Sequence, residues 1–219
     1  RRQRQMCIRD RICIEQGEQW LHDFPLFLGI NKKNPPQIAI WLEDTQGNYL
    51  STVYVTHKIA TQSWQASGGN RRKEALPHWC YSRGVKYDDG LYLPTKKEPL
   101  IDGISGATPH ESFNIKLNPA TALKKFVVKI EINHSTDFNE AFPKSAKDGE
   151  ANYSGGKEGS RQPAIVYAAN VDLSSGEKSF EANLMGHSSP DGSSGEVNKD
   201  TSGLTTALHI VKRITVIIQ

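Results

Sequence analysis

The stretch Lys125 to Asn133, KFVVKIEIN, alternates Phe126, Val128, Ile130 and Ile132 with Val127, Lys129 and Glu131. A two-residue period puts the four apolar side chains on one side of an extended chain, and a helix cannot gather them. The segment is read as a half-buried strand. Similar runs recur. Gln37 to Leu42 (QIAIWL) leads through a Gly/Asn turn into Tyr49 to His57 (YLSTVYVTH), the grammar of a hairpin. Ala164 to Leu173 and Lys178 to Met185 make a second such pair around Ser-Ser-Gly, and Leu208 to Ile218 is a β-branched run that ends the fold in a sheet. Strands following one another without crossover helices predict an all-β fold, an antiparallel β-sandwich with one or two short helices.

The helical signals are few. Asn70 to Cys80 (NRRKEALPHWC) has an Asn cap and good helix formers, with Pro77 limiting its length. Asn118 to Lys125 opens another turn, with Pro119 at its first position. Phe142 to Gln162 and His187 to Gly203 are rich in Gly and Ser and read as long surface loops.

Residues 1–11, RRQRQMCIRDR, resemble translated sequencing-adapter read-through and are set aside as a non-native leader. They hold five of the 27 Lys and Arg and one of the 24 Asp and Glu, so the formal charge falls from +3 to −1 without them. The basic balance of the whole chain therefore points neither to nucleic acid nor to a membrane surface. Residues 12–35 are expected to form an N-terminal extension and residues 36–219 a single sandwich domain. Outside the leader only Cys13 and Cys80 remain, enough for one disulfide but not for a framework. Cys80 reads as a small buried hydrophobe.

The sharpest chemical signal is Asp102-Gly103-Ile104-Ser105-Gly106-Ala107-Thr108, followed by Pro109. A chance match to a pattern with this many fixed positions is expected about once in a thousand chains of this length. The string resembles the acceptor motif, D-x-x-[ST]-G-A-[TS], of extracytoplasmic proteins that carry FMN covalently. That resemblance implies that a flavin transferase joins the flavin phosphate to Thr108, with Asp102, Ser105, Gly106 and Ala107 completing the recognition string. A hydroxyl that accepts a phosphoryl group from a second enzyme needs access, so the segment is expected to be an exposed turn. The other reading is a polar turn with no cofactor, which Gly, Asp and Ser make in any β protein.

A second cluster, Arg71-Arg72-Lys73-Glu74-Ala75-Leu76-Pro77-His78-Trp79, offers two guanidinium forks and a flat ring. Arg71, Arg72 and Trp79 are the candidate contacts for a flavin on Thr108, against the alternative of a solvated basic helix with Trp79 in the core. The hairpin from Pro36, this cluster and the S-G-A-T loop together resemble a predicted periplasmic bacterial family, the DUF2271 type, over roughly residues 36 to 118. That resemblance implies an immunoglobulin-like sandwich outside the cytoplasm, associated with flavin transferases; a lipid or membrane anchor is expected only on an N-terminus that the leader replaces.

Other chemistries have little support. His57, His78, His110, His134, His187 and His209 are scattered, without a close pair, and neither a G-x-S-x-G elbow nor a phosphate-binding glycine loop is present. Two functions stand at this level. One is an electron-transfer protein with FMN on Thr108 and an unknown redox partner. The other is a cofactor-free binding module of the bacterial envelope, with Trp64 or Trp79 as anchor.

Overall fold

A computed structural model describes residues 10–25, 27–64, 71–100, 104–118, 123–156 and 158–219. Asp102 lies outside the described residues, as do most of the leader, Gly68 to Asn70 and Pro119. The strands are β1 (Arg11–Gln16), β2 (His22–Pro25), β3 (Asn31–Asn34), β4 (Gln37–Glu43), β5 (Tyr49–Thr56), β6 (Ile104–Gly106), β7 (Phe113–Lys116) and β8 (Lys125–Asn133). They continue with β9 (Ile165–Asp172), β10 (Ser179–Glu181), β11 (Asn183–Ser188), β12 (Val197–Asn198) and β13 (Val211–Ile217). Among the described residues two short helices, α1 (His57–Thr61) and α2 (Pro77–Arg83), and two 3-10 turns complete the regular structure.

The protein is an all-β sandwich. A seven-stranded sheet, β12-β11-β9-β8-β4-β5-β6, packs on a four-stranded sheet, β10-β13-β1-β7, and β2 and β3 form a separate ribbon. Alternation along the strands explains the packing. Ile38, Ile40 and Leu42 of β4 and Phe126, Val128, Ile130 and Ile132 of β8 face Ile12, Ile14, Ile214 and Val216 of the smaller sheet in one core. The opposite face of the large sheet is also covered. Ala39, Trp41 and Val55 meet Ile59 of α1, Leu76 just before α2, and Trp79 and Cys80 of α2 in a second core.

Several expectations change here. The beginning of the 12–35 segment joins the sandwich, where β1 lies between β13 and β7 with Ile12 and Ile14 buried and its ladder begins at Arg11, while β2 and β3 stay apart as the ribbon. Alternating Ile12 and Ile14 within a six-residue strand is too brief a pattern to stand out beside a basic leader. Lys178 to Met185 is two strands rather than one, since β10 joins β13 in the small sheet and β11 joins β9 in the large one. The helix at 70–80 starts only at Pro77, whose missing N–H suits the first helical position, so that proline opens the helix instead of limiting it. Cys13 and Cys80 are both free thiols, and Cys80 is buried as expected.

Glu131 is a further departure. The strand alternation assigns it to a polar face, yet it is fully buried under α2. Its carboxylate accepts the backbone N–H of His78 at 3.2 Å and of Trp79 at 2.8 Å, and the hydroxyl of Ser188. These are first-turn amides that have no partner within a helix, so Glu131 caps α2 from a different element. The loop from Phe142 to Gln162 likewise folds inward at its end, where Ser154, Ser160, Arg161 and Gln162 are buried. Backbone bonds from Thr136 to Gly159 and from Gln162 to Asp137 hold it there.

Candidate functional site

β6 pairs in parallel with β5, placing Gly106 beside Thr56. The residues after each strand therefore meet at the same end of the sheet. Thr108 donates its hydroxyl to the carbonyl of Pro36 at 2.8 Å, and its oxygen lies 3.1 Å from that of Thr56. Thr56 in turn accepts the N–H of Ile38 at 2.8 Å. The next residue is fastened too, because the buried Trp20 donates its indole N–H to Pro109 O at 3.1 Å. Three strand ends are thus tied together through Thr108, which is only 5 % exposed. This corrects the expectation of a freely exposed turn. Ser105 and Ala107 do face solvent, but Thr108 turns inward because its hydroxyl satisfies a carbonyl that the start of β4 leaves without a strand partner.

Thr108 is nevertheless a lining residue of a cavity of about 430 Å³. Lys32, Lys58 and Arg72 line it with one carboxylate, Glu158, and Trp64 and Phe24 supply aromatic surface. Arg72 is held from three sides. It donates to Glu74 at 3.0 Å, to Ser160 at 2.9 Å and to Ser135, and its guanidinium sits 4.7 Å from the Trp64 ring centre. Lys58 approaches the same ring at 5.8 Å. Partial burial, and then the neighbouring charges of Lys32 and Arg72, hold the Lys58 ammonium below its ordinary pKa. Among the described residues, Lys32 and Lys58 face one lining carboxylate while Arg72 is paired with Glu74, and an anion beside a flat ring system would balance the remaining charge.

Four histidines, His22, His57, His110 and His134, also border the cavity. His134 is buried against His22, with ring centres 5.2 Å apart. Burial, and then the His22 charge, push its pKa down to about 3, so it stays neutral. Its Nε2 donates to Gln19 O at 2.8 Å. Among the described residues no group of three or more His, Cys, Asp or Glu side chains gathers as metal ligands.

Of the contacts expected around Thr108, the fold brings only Arg72 to the cavity. Arg71 turns away, donating to Leu93 O and pairing with Asp89. Trp79 is fully buried and donates to Thr52 at 3.0 Å, so it presents no face to a ligand. Trp64 takes the aromatic place instead. Gln62 caps α1 in a left-handed conformation, binds Ile59 O at 2.9 Å and accepts the Trp64 indole N–H at 3.0 Å, which fixes the ring. Sequence reasoning also missed His22, Phe24 and Lys32, which arrive from the ribbon. No helix among the described residues is long and apolar enough to cross a membrane. Comparison with protein-family models, curated proteins and solved structures finds no match.

Proposed function

We propose that this protein is an extracytoplasmic electron carrier with FMN joined through Thr108, of the DUF2271 type that its sequence resembles. The observation carrying this reading is that the last residue of the S-G-A-T string lines a cavity with Arg72, Lys58 and Trp64. In the proposed reaction the Thr108 oxygen attacks the flavin-bearing phosphorus of a flavin dinucleotide held by the transferase: an Oγ–P bond forms, the phosphoanhydride P–O bond breaks, the nucleoside monophosphate leaves and the hydroxyl proton passes to solvent. Lys58 and Lys32 then balance phosphate charge, and Trp64 offers its ring to the isoalloxazine. The cofactor supplies the redox chemistry, and the protein supplies position, electrostatics and exclusion of water.

The test is intact mass after coexpression with a flavin transferase and export. Wild type is expected to gain one FMN less water and turn yellow, whereas Thr108→Ala stays colourless while remaining folded. An unmodified wild type, beside a control substrate that the same transferase modifies, refutes this function.

The internal bonding of the Thr108 hydroxyl favours a second reading, in which the same cavity binds a free anionic aromatic ligand and Thr108 is purely structural. Under that reading Trp64, not Trp79, is the anchor. Thr108→Ala then retains ligand binding, and Arg72 and Trp64 variants lose it.

A further inference from the structure

The β2–β3 ribbon is joined by a turn that puts Leu28 in a left-handed conformation, φ 60° and ψ 33°, followed by Gly29 at φ 73°. Asparagine or glycine adopts that conformation freely, whereas leucine does so at a steric cost. The strained leucine does not pack inward. Leu28 is 81 % exposed and Ile30 63 %, the two highest values among the exposed large hydrophobics of the described residues. From Phe24 to Asn31, FPLFLGIN, the sequence carries no charge, and Lys32 and Lys33 follow at once.

We propose that this ribbon tip is a finger that inserts into an anionic lipid surface. An uncharged apolar tip over a base with a net positive charge, Lys32 and Lys33 against Asp23, matches the acyl boundary and the headgroup layer in that order. A protein partner fits less well. Two projecting aliphatic side chains offer far less than the roughly 800 Å² per partner of a stable protein interface, whereas lipid insertion requires only a few apolar side chains and nearby cations.

The pairing His22↔Asn34 and Phe24↔Lys32 places these four residues on one face of the ribbon, and all four line the Thr108 cavity. Asp23 and Lys33 occupy the other face, 3.7 Å apart. Insertion of the tip therefore brings the cavity wall to the membrane, next to reactants dissolved in it. The inference rests on the apolar tip and does not require that Thr108 carry FMN, although Lys32 belongs to both the ribbon and the cavity.

Flotation with phosphatidylcholine vesicles, with and without phosphatidylglycerol, tests it using the whole chain. Wild type should float with the phosphatidylglycerol vesicles, and Leu28→Asn combined with Ile30→Ser should reduce that partitioning about tenfold or more. Asparagine suits the turn, so this variant keeps its fold, and circular dichroism checks that it does. A wild type that stays with the vesicle-free fraction, or a variant that floats equally well, overturns the proposal. So does sedimentation velocity showing a wild-type dimer that the variant abolishes, which would make the tip a contact between copies of the chain.

Discussion

Replacing Glu131 with leucine is expected to lower stability by about 3 kcal/mol or more, because the N–H groups of His78 and Trp79 lose their acceptor in a buried site. Glu131→Gln should cost less, since its amide oxygen still accepts the Trp79 N–H and its NH2 can donate to Ser188, leaving only the longer bond from His78 without an acceptor. The pair also predicts a pH dependence with a definite sign. Burial pushes the Glu131 carboxyl up to about 7 despite the bonds from Ser188 and the two amides, against an ordinary value of 4.5. The folded state therefore holds the proton more tightly than the unfolded chain. Its contribution to stability is full below about 4.5 and is lost as pH rises towards 7. Urea titrations of wild type and Glu131→Gln at pH 5 and pH 8 measure it, and wild type should lose ground to the variant at pH 8. A difference between the two that does not change with pH would refute the assignment.

The second large effect belongs to Arg72. Its guanidinium and the Glu74 carboxylate, 3.0 Å apart, are 5 % and 4 % exposed. Desolvating both charges makes the pair a weak source of net stability, but removing one partner strands the other. Arg72→Ala is expected to cost about 3–5 kcal/mol, with Ser135 and Ser160 also losing a donor. Adding Glu74→Gln should restore a substantial part by removing the unpaired charge. Arg72→Lys should not restore the wild type, because an ammonium cannot reach three partners in a fork and stack on Trp64. Chemical denaturation of the three variants decides the matter. A double variant no more stable than Arg72→Ala would mean that the loss comes from packing rather than charge.

The sandwich was legible wherever a strand is long and its two faces differ. KFVVKIEIN announces β8 because four apolar residues share a face, and the β4–β5 hairpin follows from its turn. β1 was not legible, because Ile12 and Ile14 show their value only once β13 and β7 flank them. Glu131 was misplaced for a related reason: alternation tells which face a residue takes, not whether a helix will later cover that face. For the site, the S-G-A-T string pointed to Thr108 and the cluster from Arg71 to Trp79 to its surroundings, of which only Arg72 lines the cavity. The surroundings instead come from Trp64, Lys32 and His22, brought together by a parallel pairing and a ribbon that leave no short-range trace. Trp79 and Trp64 cannot be told apart by local pattern. The distinction lies in α2 carrying Trp79 onto the sheet while Gln62 holds Trp64 at the cavity.

β6 has a consequence of its own for time rather than space. The amides of β4 and β8 are paired on both sides, and their hydrogen exchange should require global unfolding. β6 is an edge strand of three residues with one neighbour, so its amides exchange through a far cheaper local opening. The Thr108 hydroxyl is fastened just beyond that strand, and any reagent that must reach it waits for the same opening. Deuterium uptake over residues 104–108 then reads out how often the hydroxyl is presented. Mild denaturant can raise that frequency while both cores remain intact, so under the flavin attachment proposed above a three-residue ladder would set its pace.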